Sequence, residues 1–201
     1  MGLISAANTI FDAGAMSAGG SMKFIKKLTA SSSATVSFVD GSGGVVLDAT
    51  YKEYLFTFNN IHPATDDSKL LVNFRDGGTN YDATKTTTFF RAQHSEGGSG
   101  AELGYSGGDD LAQSTGVQRI SVPTGNDNDT SLSGTLQLFS PSSTTFVKHF
   151  ISNVNDKDMS HYSVNCFMAG YCNVTAAIDG VQFSYSTGNI QSGTIKMYGI
   201  K

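Results

Sequence analysis

Lys69-Leu-Leu-Val-Asn-Phe-Arg75 is the stretch whose reading decides the fold. In an extended chain, side chains alternate between two faces, so Leu70, Val72 and Phe74 share one side. Tyr54-Leu-Phe-Thr-Phe-Asn59 repeats the pattern, with Tyr54, Phe56 and Phe58 on one face. Both read as half-buried strands. Similar runs cover roughly 22–29, 33–39, 86–94, 117–122, 131–139, 144–153, 161–171, 180–186 and 193–200. Asp40-Gly-Ser-Gly-Gly44, Asp76-Gly-Gly78 and Asp179-Gly180 lie between them and supply residues that tolerate positive φ. Ten or eleven short strands at regular spacing predict an all-β domain, an antiparallel β-sandwich of jelly-roll-like form. It spans 21–201 as one unit, preceded by a short N-terminal arm or helix over 1–20.

Composition supports this reading and excludes several others. Gly, Ser and Thr fill 68 of 201 positions, and only 15% of residues are charged. Long amphipathic helices need far more Lys, Glu and Arg on their wet faces, so bundles and coiled coils are not expected. A net charge of −4 gives no electrostatic footprint for nucleic acid or for an anionic membrane. No run of eighteen apolar residues is present, so no transmembrane helix is expected.

The first twenty residues differ from the rest. Leu3, Ile4, Ala7, Ile10 and Phe11 recur at the spacing of one helical face, until Gly14, Gly19 and Gly20 interrupt it. So short a segment is not stable alone in water, and it either packs on its own domain or docks into a partner. Leu3, Ile4, Ile10 and Phe11 are the candidate partner-binding residues. The opening residues lack a basic n-region and carry Asp12, which argues against a secretory signal. The pattern starting at Met1-Gly2 has Ala6 where N-myristoylation needs Ser or Thr.

No catalytic, cofactor-binding or metal site is expected. His62, His94, His149 and His161 are scattered, and Gly-x-Ser-x-Gly, GxxxxGK[ST] and GxGxxG before a helix are all absent. Asp127, Asp129, Ser131 and Ser133 mimic the start of a calcium loop, but Leu132 and Leu138 stand where the Gly and the bidentate Glu should be. Asp66-Asp67 and Asp109-Asp110 read as turn aspartates rather than a glycosidase pair. Cys166 and Cys172 share one face of a strand about 20 Å apart, which reads as two free buried thiols; a turn at Gly170 is the alternative that would join them. Lys23, Lys26 and Lys27 form a solvated strand face. Two glycine- and aspartate-rich loops, 95–116 and Gly125-Asn-Asp-Asn-Asp-Thr130, are the places to look for a binding surface.

Several segments together resemble a family of small β-rich virion proteins of tailed bacteriophages, especially those of marine and freshwater bacteria. The matching stretches are Gly20-Ser-Met-Lys-Phe-Ile-Lys-Lys-Leu-Thr-Ala-Ser-Ser-Ser-Ala34, Tyr51-Lys-Glu-Tyr-Leu-Phe-Thr-Phe-Asn-Asn-Ile-His-Pro63, Asp110-Leu-Ala-Gln-Ser-Thr115, Leu132-Ser-Gly-Thr-Leu-Gln-Leu-Phe-Ser-Pro-Ser-Ser-Thr-Thr145 and Gly193-Thr-Ile-Lys-Met-Tyr-Gly-Ile200. The resemblance implies a non-enzymatic structural protein on the virion surface, assembled in the host cytoplasm. It implies a capsid decoration or cement protein, with a tail-fibre or appendage subunit as the alternative; apart from the resemblance, a carbohydrate-acting or carbohydrate-binding β-sandwich using the 95–116 loop is the third reading. Implied partners are the major capsid protein or other virion proteins, sister copies in a homotrimer, and a host-surface glycan for the appendage reading.

Overall fold

A computed structural model describes residues 21–201 throughout. Of the first twenty residues it describes the backbone of three short strands, β1 (Leu3–Ser5), β2 (Asn8–Asp12) and β3 (Ala15–Met16), paired antiparallel in that order. Strand pairing replaces the expected helix here. The Thr9-Ile10-Phe11 run is rich in β-branched and aromatic residues, and a helix of this length would gain little from its apolar spacing alone. Leu3 stands opposite Phe11 in the pairing. The side chains of Leu3, Ile4, Ile10 and Phe11 lie outside the described residues.

Residues 21–201 form twelve strands: β4 (Met22–Thr29), β5 (Val36–Val39), β6 (Glu53–Pro63), β7 (Leu70–Arg75), β8 (Lys85–Ser95), β9 (Glu102–Tyr105), β10 (Gln118–Arg119), β11 (Leu132–Phe139), β12 (Lys148–Lys157), β13 (Tyr162–Cys172), β14 (Gly180–Tyr185) and β15 (Ile190–Ile200). No helix occurs among the described residues. Eight strands make one antiparallel sheet in the order β4-β15-β6-β11-β12-β13-β8-β9, and four make another in the order β10-β7-β14-β5. Residues 21–201 therefore form an antiparallel two-sheet structure.

Alternation decides which face of each strand is buried. Leu70, Val72 and Phe74 of β7 are fully buried, as are Tyr54 and Phe56 of β6, with Phe58 nearly so. Rings from both sheets meet between them. Phe183 of β14 contacts Phe56 and Phe58 edge-on at centroid separations of 5.8 and 5.1 Å, and Phe38 of β5 meets Phe56 at 5.3 Å. Such pairs add about 0.5–1.5 kcal/mol each beyond their buried area.

Gly134 and Gly193 are among the glycines that close approach requires. A Cβ on Gly134 would sit 2.3 Å from the Asn153 carbonyl oxygen and 2.7 Å from Val154 Cα, so β11 and β12 pair only with hydrogen at that position. Gly193, at φ +116°, sits where β15 bulges against β6, opposite Asn60 at φ +50°. The register of β15 against β6 shifts on both sides of Ser192, and a bulge of this kind bends its strand locally.

Three sequence readings shift. The stretch 95–116 is not loop throughout, because Glu102–Tyr105 adds to the sheet edge through Phe90 opposite Tyr105 and Ala92 opposite Leu103. A turn tied by the Gly98 amide donating to the Ser95 carbonyl at 3.1 Å closes this hairpin, and the surrounding glycines hide it in the sequence. The run expected at 117–122 pairs over two residues only, since Ser121 Oγ rather than a backbone oxygen receives the Leu70 amide at 2.8 Å. The strand expected at 144–153 starts later, at Lys148. Ser143 Oγ accepts the Thr145 and Phe146 amides and folds that stretch into a turn.

Candidate functional site

The bulge at Asn60 and Gly193 and the 125–131 loop together enclose a cleft of about 660 Å³ at one end of the sandwich. Asn60, His62, Asn128, Asp129, Gln191 and Ser192 line it, among other polar residues. His62 Nδ1 lies 2.7 Å from the Thr130 carbonyl, so that nitrogen carries the proton and donates. Thr130 is buried, and its amide donates to the Asp127 carbonyl at 2.9 Å, which fixes the loop. Asp129 pairs with Lys157 Nζ at 3.2 Å, and this lysine holds its carboxyl below the usual range. Of the calcium-like aspartates, Asp129 is engaged by its carboxylate in the ion pair, whereas Asp127 contributes its backbone carbonyl to the turn. The cleft presents amides, hydroxyls and a carboxylate, which is hydrogen-bonding chemistry suited to a hydroxyl-rich ligand.

The other loop flagged in the sequence does different work. Asp109 pairs with Arg119, and Tyr105 donates its hydroxyl to Asp110, which raises the tyrosine's own proton affinity. The Asp109-Asp110 pair is therefore divided between structural partners. Leu103 and Tyr105 stand exposed on the edge strand, and Tyr105 lies beside Phe90, whose ring stacks on Phe167 at 4.9 Å.

A third feature has no counterpart in the sequence reading. On the outward face of the large sheet, one cross-strand row runs Phe24, Tyr198, Leu55, Gln137, Ile151, Ala169, Thr88 across seven strands. Ala169 is its smallest apolar member. It leaves a trough of about 330 Å³ walled by Thr86, Thr88, His149, Ile151 and Tyr171. Ile151 is 52% exposed. Faces of this apolar character mark contact surfaces more often than bare solvent exposure.

Inside the sandwich lie titratable groups that sequence alternation alone did not single out. Asp156 is fully buried, accepts one bond from Thr124 Oγ1 at 2.9 Å, and leaves its other oxygen without a partner. Burial pushes its carboxyl up to about 7. Lys148, Cys172 and Lys85 occupy one row across β12, β13 and β8 and are all fully buried. Each ammonium reaches a carbonyl, Lys85 to Ala83 at 3.0 Å and Lys148 to Val174 at 2.6 Å, and burial pushes Lys85 down to about 8. Cys166 and Cys172 are free and buried on one face of the unbroken β13, as their spacing predicts, and burial pushes both thiols up to about 12. Thiols so disfavoured as thiolates are poor nucleophiles.

His94, His149 and His161 are exposed and separate from these groups. Among the described residues no group of three or more His, Cys, Asp or Glu side chains could hold a metal ion. No protein-family model, curated protein or solved structure matches the chain.

Proposed function

We propose that this chain is a non-enzymatic structural protein of a tailed-bacteriophage virion, a decoration or cement protein on the capsid surface that its N-terminal segment attaches. One observation carries the reading: the strand order, β4-β15-β6-β11 in one layer and β5-β14-β7-β10 in the other, supports reading the sandwich as a jelly roll, the arrangement that viral capsid and lectin domains share. Hairpin β8-β9 and the pair β12-β13 are insertions that widen the first layer. The resemblance over residues 20–200 supplies the phage context. A passive role draws support from the interior, where the Lys148-Cys172-Lys85 row and Asp156 are packed between the sheets instead of opening onto a cleft. A homotrimer at the particle surface is part of the proposal.

Quantifying the chain in purified particles stripped of their tails tests this reading. The decoration role predicts retention at hundreds of copies per head, whereas loss with the tails would overturn it. A second reading, an appendage subunit that touches host glycans, is favoured by the polar cleft beside the 125–131 loop. Glycan-array binding that Asp129→Ala and Asn128→Ala both abolish would establish that role.

A further inference from the structure

We propose that Asp156 makes the ordering of the cleft loop depend on pH: with its carboxyl protonated the 125–131 loop stays closed on the sandwich, and with the carboxyl ionised the loop is released. This regulates the polar cleft on which the glycan reading rests, because Asn128, Asp129, Thr130 and Ser131 form one wall of it.

Two consecutive residues of β12 tie down both ends of the loop. At its start, the fully buried Thr124 donates its hydroxyl to Asp156 at 2.9 Å. At its end, Lys157 pairs with Asp129 at 3.2 Å, and the Lys157 amide donates to the Ser131 carbonyl at 3.3 Å. Thr124 also exchanges backbone hydrogen bonds with Ser68, and the Met159 amide donates to the Pro123 carbonyl at 3.2 Å. Lifting Thr124 and the loop that follows it is thus a direct way to bring water to the carboxyl.

Ionisation creates the need for that water. One Asp156 oxygen has no partner, and an orphaned oxygen is far costlier on a buried carboxylate than on a neutral acid. The groups that face it offer no relief. Tyr185 of β14 and Cys166 of β13 are buried, and burial raises both above their ordinary values, so they stay neutral. Arg119 of β10 is committed to Asp109 and to the Ser121 carbonyl at 2.6 Å, while Asp158 adds a like charge. The closed carboxyl is raised to about 7 from the ordinary 3.8, which it regains once the loop opens, so the closed state binds more protons between those values. Closure is therefore most stable below about pH 4 and weakens up to about pH 7, the open population rising about tenfold per pH unit. His62 donates its Nδ1 proton to the Thr130 carbonyl whatever the charge of its ring. His161, with Nδ1 at 3.4 Å from Lys157 Nζ, is the other titratable group beside the clamp.

Amide hydrogen exchange of the full chain from pH 5 to 8, corrected for the intrinsic pH dependence of exchange, tests the switch. The Thr124 and Thr130 amides are both hydrogen-bonded in the closed loop. They are expected to open about tenfold more often per pH unit up to about 7, to level off above it, and to exchange faster throughout than the Phe56 amide in the middle of the large sheet. The Gly98 amide, in the β8–β9 turn, is expected to stay flat. Asp156→Asn should remove the slope and His161→Asn should keep it. In the wild type, the Asp156 carboxyl carbon resonance should titrate with a midpoint near 7, a readout that needs no variant. A flat Thr124 amide, a slope that survives Asp156→Asn or disappears in His161→Asn, loop amides as slow as Phe56, or a carboxyl midpoint near 4 would each overturn the proposal. No ligand is used, so failure here leaves the glycan reading to its array, and an empty array leaves the switch standing.

Discussion

Between β6 and β14 the space separating the two sheets is filled by rings, with Phe38, Phe56, Phe58 and Phe183 in edge-on contact. On the same inner face, a few strands further along, β12, β13 and β8 hold Lys85, Lys148, Ser152, Thr87 and Asp156 beside two thiols. Each of these polar groups finds a partner close by, although one Asp156 oxygen stays without one. Ser152 Oγ donates to the Thr135 carbonyl at 2.9 Å, and Arg119 lies over the Phe89 ring at 5.6 Å. The first region is held by apolar contact that carries no titratable group. The second depends on hydrogen bonds and on protonation states that burial has displaced, so the two should respond differently to mutation and to pH.

The largest effect is expected in the aromatic region. Phe183→Ala removes a ring that touches three others, and urea unfolding should show a loss of about 3–5 kcal/mol. A loss below 1 kcal/mol would mean that the rings do not hold the layers together. Next comes Asp156→Asn. Its folded carboxyl is raised from the ordinary 3.8 to about 7, so the folded chain keeps a proton that the unfolded chain has released between those values. Stability contributed by this group is therefore present below about pH 4 and falls as pH rises to about 7, by on the order of 4 kcal/mol. Urea unfolding at pH 4, 6 and 8 should show that slope in the wild type and its absence in Asp156→Asn.

Lys85→Met sharpens the contrast from the basic side. The folded ammonium gives up its proton near pH 8 and the unfolded one near 10.5, so the unfolded chain binds more protons in that window. Wild-type stability should rise with pH there, and the rise should vanish in the variant. At neutral pH the variant should match the wild type or exceed it by up to about 2 kcal/mol, because a buried charge gives way to an apolar chain of similar volume. A loss of several kcal/mol instead would show that the Ala83 carbonyl bond is worth more than its desolvation cost. Smallest of all is Phe146→Ser, at a ring 75% exposed, expected to change thermal stability by less than about 0.5 kcal/mol.

This contrast also shows what the sequence could reveal. Alternation in Leu70–Arg75 and Tyr54–Asn59 reports which side chains share a face, and the structure buries Leu70, Val72, Phe74, Tyr54, Phe56 and Phe58 accordingly. Alternation places Lys85, Lys148 and Asp156 on the same buried side, yet residue type argues for exposure. Only the Ala83, Val174 and Thr124 partners settle the conflict, and the last two are distant in sequence from the groups they satisfy. The 125–131 loop was legible as a surface because its asparagines and aspartates resist regular structure. The trough at Ala169 was not, since Thr88, Ile151 and Ala169 come from three strands and meet only through register. At the N-terminus, helical spacing and strand-forming residue types pointed in opposite directions, and pairing between Leu3–Ser5 and Asn8–Asp12 follows the latter.

Averaged electron micrographs of intact particles test the capsid assignment most directly. The account predicts two-layered density of this domain on the outer surface of the head, repeated around its symmetry axes, with the chain's start running to a neighbouring copy or to the shell. Density for the domain on the tail alone, or none anywhere on the particle, would contradict it.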